Sequence, residues 1–212
     1  MPIMYTKSKY DKSDRRSVEH DLPDWPGWPK FLKYLDYAEK APYPEDSKLY
    51  FLLLFETGCR ASEVIELKLS MFKFNDEAIV CENAPVLKKK KRDTRDIIMK
   101  LDELNPLGYE LIDLLEACKT EYLLPKRLPF NRDIIGDKHT SSRTVYNRIS
   151  EIHKDLWPHG VRGYRASMLV HERDFRVQQL VSWFKWVKAD TAIHYTRTKN
   201  LAHDMGIKRL PQ

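Results

Sequence analysis

Cysteine and glycine are scarce in this sequence of 212 residues, and each scarcity excludes a class of protein. The three cysteines are widely spaced and form no C-x-x-C pair, which argues against a disulfide framework and a zinc cluster and is typical of a reducing cytosol. The seven glycines are too few for a collagen-like or glycine-linker chain. The longest unbroken apolar run, residues 49–55, is far shorter than the ~20 residues that span a bilayer. We therefore expect neither a membrane span nor a secretion leader.

Basic side chains outnumber acidic ones, and the excess is concentrated in blocks. The chain has 37 Lys and Arg against 31 Asp and Glu, a net charge of +6. Residues 85–100 carry +5, residues 138–165 carry +4 and residues 166–212 carry +4, whereas the remaining segments are neutral or mildly acidic. If these blocks converge on folding, they form one phosphate-binding face; if they scatter, they do not. Charge alone leaves both outcomes open.

The N-terminal segment differs in character from the rest of the chain. Residues 1–27 are polar and have no net charge, and such a stretch buries too little apolar surface to order itself. We expect a flexible arm or linker there, in which Trp25 is one exception that can dock on the body. Residues 28–212 are expected to form a single domain.

Hydrophobic spacing predicts a mainly α fold with a small antiparallel β-sheet, which is an α+β class. Gly58 is expected to end the second helix in a left-handed conformation, and Ser62 is expected to open the third. Helices are expected over residues 29–41, 44–56, 62–67, 107–118, 142–152, 162–172, 177–184 and 191–198. Short strands are expected within residues 72–99, around a turn at 75–76 and a charged tip at 88–94.

An arginine lies in the predicted break between two apolar helices. Residues 57–63 read TGCRASE, with Arg60 in the break and Glu63 three residues later. A guanidinium held between core helices presents a preformed fork to a phosphate, and a carboxylate can hold that fork from behind. The alternative is a purely structural Arg–Glu pair.

Two further segments carry side chains suited to phosphate chemistry. Residues 159–165 read HGVRGYR, and the spacing of three places His159 and Arg162 on one helix face, where both can contact an anion. Residues 186–195 read WVKADTAIHY, and the hydroxyl of Tyr195 can act as a nucleophile if neighbouring cations stabilise the phenolate. Taken alone, each segment is more often ordinary packing or surface chemistry.

Together these segments resemble the catalytic domain of the tyrosine recombinases, the phage-integrase family. The family's first motif reads T-G-x-R-x-S-E-L, and residues 57–63 fit it, with Val64 in place of the leucine. Its second motif reads H-x-x-R-H-x-x-A-[ST], which His159, Arg162 and residues 166–167 match. Gly163 stands where this motif usually has its second histidine.

The remaining two motifs of the family also occur in order. The family places its tyrosine nine residues after a His or Trp, which is the interval from Trp186 to Tyr195; Lys185 stands where a glycine usually precedes that His or Trp. A hairpin lysine usually precedes an R-x-V-P-like strand, as residues 88–91 precede residues 95–98. The resemblance covers residues 28–200.

The resemblance implies a set of residues for DNA strand cleavage. Tyr195 is the implied nucleophile, and Arg60 and Arg162 would stabilise the pentavalent phosphorus. The register against the R-x-V-P-like strand favours Lys90 as the general acid. The implied catalytic residues are Arg60, Lys90, His159, Arg162, Trp186 and Tyr195, with Glu63 in support. The resemblance implies no cofactor and no metal ion, and residues 28–212 would be a catalytic DNA breaking-rejoining domain.

The resemblance also implies double-stranded DNA as the partner, a homotetramer assembled on that DNA, and a cytoplasmic location in a prokaryotic nucleoid or in a host cell. The expected DNA contacts are Lys88, Lys89, Lys91, Arg92, Arg143, Asn147, Arg148 and Arg165. Family members usually carry a separate DNA-clamping domain ahead of the catalytic one. Only residues 1–27 precede the catalytic part here, so the chain is expected to be either a minimal single-domain member or the catalytic piece of a longer protein. Two alternatives stay open, a catalytically inactive DNA-binding module of the same fold and a topoisomerase-like nicking-closing enzyme. A helical scaffold without this chemistry would leave Arg60, Arg162 and Tyr195 far apart.

Overall fold

The structure, a computed structural model, describes residues 25–88, 91–128 and 132–196. Its helices are α1 (Trp28–Glu39), α2 (Pro44–Thr57), α3 (Ala61–Val64), α4 (Gly108–Glu116), α5 (Ser142–Ile152), α6 (Pro158–Arg173), α7 (Val177–Phe184) and α8 (190–196). Its strands are β1 (Phe72–Phe74), β2 (Ala78–Lys88), β3 (Lys91–Lys100), β4 (Pro125–Arg127) and β5 (Ile134–His139). The mainly α fold with a small antiparallel sheet, expected from the sequence, is confirmed. Within this part of the chain no helix is long and apolar enough to cross a membrane.

Helix α2 is the centre of the core. Its residues from Leu49 to Thr57 are buried on every side, and a helix that is apolar all round belongs in a protein interior. Helices α1, α4, α5 and α6 pack around it. Because each fully buried Leu or Phe contributes roughly 1.5–3 kcal/mol relative to an exposed one, this helix fixes the framework from which the next segment emerges.

The larger sheet is a three-stranded antiparallel meander in the order β1-β2-β3. Its long hairpin pairs Leu87 with Arg92 and Lys88 with Lys91, so these three basic residues lie at the end of the hairpin, as expected. A second, two-stranded ribbon of β4 and β5 was not expected. Its sequence gives little strand signal because it includes Pro125 and Gly136 and shows no clean alternation of apolar residues.

Three expectations about helix ends are resolved by the structure. Gly58 ends α2 in the left-handed region with φ 56°, as predicted. The third helix begins at Ala61, with Arg60 as its N-cap residue, rather than at Ser62, and the carboxylate of Glu63 accepts a hydrogen bond from the backbone nitrogen of Arg60. Helix α6 begins at Pro158, four residues earlier than expected, since proline is favoured in a first helical turn.

The chain before α1 packs on the body from Trp25 onward. The indole Nε1 of Trp25 donates a hydrogen bond of 2.9 Å to the carboxylate of Glu172, and its ring stacks on Phe55. The docking predicted for this tryptophan is therefore seen, and the last residues of the predicted arm are part of the folded body. The rest of that arm, residues 1–24, and the segment after residue 196 lie outside the described residues.

Candidate active site

Glu63 anchors Arg60 at the end of α2. The carboxylate of Glu63 accepts hydrogen bonds from the backbone nitrogen of Arg60 at 2.8 Å and from its guanidinium Nη1 at 2.6 Å. It also accepts a bond of 3.3 Å from the backbone nitrogen of Leu87, at the start of the hairpin tip. Burial opposes ionisation of Glu63, but these hydrogen bonds and the two neighbouring guanidiniums lower its pKa below the ordinary value. The carboxylate therefore stays ionised and fixes the direction of Arg60.

Arg162 reaches the same carboxylate from α6. Its Nη1 donates a hydrogen bond to the carbonyl oxygen of Gly58 and lies 3.7 Å from the other carboxylate oxygen of Glu63. Its side chain is 3% exposed, and its buried Nη2 has no hydrogen-bond partner in the described part of the chain. Burial, followed by the positive charges of Arg60 and Arg95, lowers the pKa of Arg162 to about 9. Arg162 therefore shares its neighbouring carboxylate, Glu63, with Arg60, and a bound anion would supply further negative charge and a partner for Nη2.

The two guanidiniums thus meet, although 102 residues separate them in the sequence. The Oε1 atom of Glu63 pairs with the guanidinium of Arg60, and its Oε2 atom lies 3.7 Å from the guanidinium of Arg162. The convergence is required for any chemistry in which both contact one phosphate, because the non-bridging oxygens of a phosphate are only a few ångströms apart.

An aromatic stack lies against Arg162. We use this name for Phe184, Trp186 and Tyr195, whose rings are nearly parallel, with centroids 4.5 Å apart for the first pair and 5.7 Å apart for the second. The guanidinium of Arg162 lies 4.7 Å from the Phe184 centroid and 5.9 Å from the Trp186 centroid. The stack places the tyrosine ring next to the buried cation.

Tyr195 is buried in this state and its hydroxyl is protonated. Burial raises the pKa of Tyr195 to about 12, and the positive charge of Arg162 opposes that rise. A nucleophilic role therefore requires a base that accepts the phenolic proton.

Lys185 directs the chain between α7 and the aromatic stack. It ends α7 in the left-handed region with φ 50°, and the next backbone nitrogen, that of Trp186, donates a bond of 3.0 Å to the carbonyl of Val181. A left-handed residue at this point turns the chain back over the helix end. The conformation explains why glycine is the more usual residue there.

His159 and Lys90 complete the predicted catalytic set. His159 is exposed on the first turn of α6, three residues before Arg162 and therefore on a neighbouring part of the same face. Lys90 and Lys89 lie outside the described residues, as do the side chains of Lys88, Lys91 and Arg92. The bond from Leu87 to Glu63 nevertheless places the base of this hairpin tip beside Arg60.

The predicted DNA contacts on α5 and α6 divide into two groups. Arg143 and Asn147 are exposed on α5, as a contact with DNA requires. Arg148 is partly engaged, since it pairs with Glu151 at 2.5 Å and lies 3.8 Å from the centroid of the Tyr43 ring.

Arg165 does not fit the DNA contact predicted for it. Its side chain is 4% exposed and lies 3.2 Å from the carboxylate of Glu56, which is also buried. The guanidinium faces the core because α6 turns this position toward α2 rather than toward solvent. We therefore correct that prediction and assign the Arg165–Glu56 pair a structural role.

A cavity of about 750 Å³ lies between β3, α6 and α7, and it is not the place where the predicted catalytic side chains meet. Its lining includes Arg165, Arg173 and Trp183 but not Arg60, Arg162 or Tyr195. We therefore take the converging cations, and not this cavity, as the candidate active site. No group of three or more His, Cys, Asp or Glu in the described ranges could hold a metal ion.

Comparisons with known proteins give a family for this chain. A model of the phage integrase family matches residues 30–201 of this sequence. No curated protein matches the sequence significantly.

Several solved structures share the fold. They include the XerH site-specific recombinase bound to a palindromic difH substrate, with TM-score 0.63 and 17% identity over 91% of this chain and 55% of that chain. XerA recombinase gives TM-score 0.61 and 17% identity over 89% of this chain and 67% of that chain. A lambda integrase dimer bound to a COC′ core site gives TM-score 0.53 and 18% identity over 87% of this chain and 49% of that chain. This chain therefore spans about half the length of the XerH and lambda integrase chains.

Proposed function

Because this chain belongs to the phage integrase family, we propose that it is a site-specific DNA recombinase that cleaves and rejoins duplex DNA through a 3′-phosphotyrosyl intermediate. The observation that carries the proposal is the convergence of Arg60 and Arg162 on Glu63, beside a stack that holds Tyr195. Distant parts of the chain meet there, and their side chains are those that phosphoryl transfer to a tyrosine requires.

In the proposed reaction, the phenolic oxygen of Tyr195 attacks a backbone phosphorus. A bond forms between that oxygen and phosphorus, the bond from phosphorus to the 5′ oxygen breaks, and the strand is left with a free 5′ hydroxyl. The phosphodiester energy is kept in the tyrosyl ester. Another 5′ hydroxyl can therefore reverse the step on a new strand without ATP.

Arg60 and Arg162 would stabilise the negative charge that develops on the non-bridging oxygens. Arg162 is suited to this because its Nη2 is buried and unpaired in the described part of the chain, so its donor needs no partner to be displaced. Arg60 is suited because Glu63 already fixes its direction. Losing either guanidinium should cost about 3 kcal/mol of barrier, the scale of one preorganised donor.

Three further side chains would transfer protons or position the tyrosine. His159, exposed on the first turn of α6, would donate to a phosphate oxygen and accept the tyrosine proton. Lys90 would protonate the leaving 5′ oxygen, since neighbouring lysines lower the pKa of an ammonium group. Trp186 would position Tyr195 by stacking, because an indole can donate only through its N–H.

The partners follow from the same proposal. The substrate would be duplex DNA, held by the basic hairpin tip and by Arg143 and Asn147 on α5. The active form would be a homotetramer assembled on DNA, acting without metal ion or ATP. Residues 28–212 would be the breaking-rejoining domain, and the apolar residues beyond Tyr195, which the structure does not describe, would contact either a neighbouring protomer or this chain's own core.

Trapping on DNA tests the proposal. The probe is a pool of duplexes of randomised sequence, each nicked so that cleavage releases a short strand and leaves the tyrosyl adduct unable to rejoin. We expect the unchanged protein to give an SDS-resistant adduct, Tyr195→Phe to give none, and Arg162→Lys to give about 100-fold less. Arg176→Lys, a change at an exposed arginine that precedes α7 and pairs with none of the predicted catalytic residues in the described part of the chain, is the matched control and should behave like the unchanged protein.

The outcomes also separate the alternatives. An inactive DNA-binding module would retain the DNA without any adduct. A nicking-closing enzyme would give adducts whose captured strands share no common sequence, and it would relax supercoiled DNA. A recombinase should capture strands with a shared sequence.

A further inference from the structure

Arg95 is a buried cation that the proposed chemistry does not use. It lies on β3 opposite Ala84, and the alternation of that strand turns it to the core face together with Ile97 and Met99. Arginine at such a position is unusual, because burying a cation costs free energy unless it is paired. Arg95 is only 5% exposed, and within the described ranges no carboxylate forms an ion pair with it.

The partners of Arg95 are instead backbone carbonyls at the ends of two helices. Its Nη2 donates a hydrogen bond of 3.0 Å to the carbonyl of Thr57, the last residue of α2. Its Nη1 donates to the carbonyl of Trp183, in the last turn of α7. Carbonyls in a last helical turn lack a donor within their own helix and carry the negative end of the helix dipole. One planar guanidinium therefore satisfies two helix ends at once.

These two helix ends lead directly into the candidate active site. The chain after Thr57 continues through Gly58 to Arg60, and the chain after Trp183 continues to Trp186. Gly58 already lies close under α7, since a Cβ there would stand 2.6 Å from the Phe184 ring. A small shift of either helix end would thus change the position of Arg60 relative to Trp186.

The guanidinium of Arg95 is also held in place from one side. It lies 5.2 Å from the centroid of the Trp183 ring and 5.8 Å from that of Phe184. Among the described residues of this region, Arg60 and Arg162 share the carboxylate of Glu63, and the positive charge of Arg95 acts on Arg162. This excess of positive charge favours the binding of a phosphate.

From this geometry we infer that Arg95 is a positioning residue for strand cleavage, which bridges the C-terminal ends of α2 and α7 and so sets the placement of Arg60 relative to Trp186. The inference rests on the proposed function. It does not make Arg95 a catalytic residue, because its donors contact backbone carbonyls and not the phosphate.

Arg95→Lys is the discriminating variant. Lysine keeps the charge, but a single ammonium cannot span two carbonyls as the guanidinium does. We expect the single-turnover rate of cleavage on the trapping duplexes to fall about 100-fold, the scale of a misplacement of about 1 Å, while the DNA dissociation constant stays near that of the unchanged protein. The rate is measured below the melting temperature of the variant, so that only folded protein is compared. A purely structural role would lower the melting temperature without changing this rate.

Arg173→Lys is the matched control. Arg173 also makes a two-pronged contact, with the carboxylate of Asp102, but that pair lies at the far end of α6. Cleavage by this control should stay close to that of the unchanged protein. Cleavage at the unchanged rate by folded Arg95→Lys would overturn the inference.

Hydrogen exchange separates a failure of this inference from a failure of the proposed function. If the unchanged protein forms no adduct, the proposed function fails, and amide exchange in Arg95→Lys then decides the bridge by itself. Faster exchange in both residues 58–63 and residues 183–188 supports the bridge. Faster exchange in only one of these segments, or in neither, contradicts it.

Discussion

Arg162 shows how a residue can lower the stability of the folded protein and still be suited to a function. It is buried, its pKa is lowered to about 9, and one of its donors has no partner in the described part of the chain. A buried cation of this kind destabilises the folded state unless an anion joins it. Such a group at a site shared with Arg60 is suited to binding a phosphate.

The excess positive charge at Arg60 and Arg162 predicts that a phosphate anion stabilises the folded protein. We expect sodium phosphate to raise the melting temperature by about 2–4 °C over sodium chloride at equal ionic strength, which corresponds to roughly 1 kcal/mol for a chain of this size. Differential scanning fluorimetry measures the shift. Arg162→Met should abolish it and Arg176→Met should keep it; an equal shift in all three proteins would mean that phosphate acts elsewhere.

Lys185 is a second residue that lowers the stability of the folded protein, in this case through its backbone conformation. Its φ of 50° lies in the left-handed region, which costs a side-chain-bearing residue about 1 kcal/mol relative to glycine. We predict that Lys185→Gly raises the free energy of unfolding by about 1 kcal/mol, as measured by urea denaturation. Lys188→Gly, a change in the same loop at a residue without positive φ, should give no gain, and a similar gain there would argue against the backbone explanation.

At the scale of elements, the sequence predicted those whose signals are local and strong. The apolar block of α2, the alternation of β2 and β3 and the glycine at position 58 each indicate their structure directly. The ribbon of β4 and β5 was missed because its strands are short and carry a proline and a glycine. The early start of α6 was missed because Pro158 reads equally well as a loop residue.

The hairpin tip carries the proposed general acid, Lys90. If Lys90 protonates the leaving 5′ oxygen, Lys90→Ala should slow cleavage by about 100- to 1,000-fold, within the range of general acid catalysis. The loss should disappear on a substrate with sulfur in place of the 5′ oxygen, because a thiolate leaves without protonation. Gel quantification of the adduct on both substrates measures this.

The neighbouring lysines serve as controls for that experiment. Alanine at Lys88, Lys89 or Lys91 should weaken DNA binding, and the difference between the oxygen and sulfur substrates should be much smaller than for Lys90→Ala. If one of them shows the sulfur rescue and Lys90 does not, the general acid is assigned to the wrong residue.

At the scale of the whole molecule, the fold brings together segments that the sequence shows only as separate motifs. Spacing indicated that His159 and Arg162 share a face, but it could not show that Glu63 joins Arg60 to Arg162. It also could not show that Arg165, three residues after Arg162, turns inward to Glu56. Arg95 was visible only as part of a strand, and its signal was an arginine on the apolar face of an alternating segment. Contacts over long sequence separation depend on packing, which a local pattern does not encode.

The most direct test of the central claim is to locate the DNA on the protein. The trapped adduct is digested with nuclease and trypsin and analysed by mass spectrometry. Cleavage after Lys188 and Arg197 gives the peptide ADTAIHYTR, in which Tyr195 is the only tyrosine. We predict a nucleotide attached through its 3′ phosphate to Tyr195 in this peptide. A nucleotide on a peptide that carries any of the other tyrosines, or an adduct that persists in Tyr195→Phe, would contradict the account.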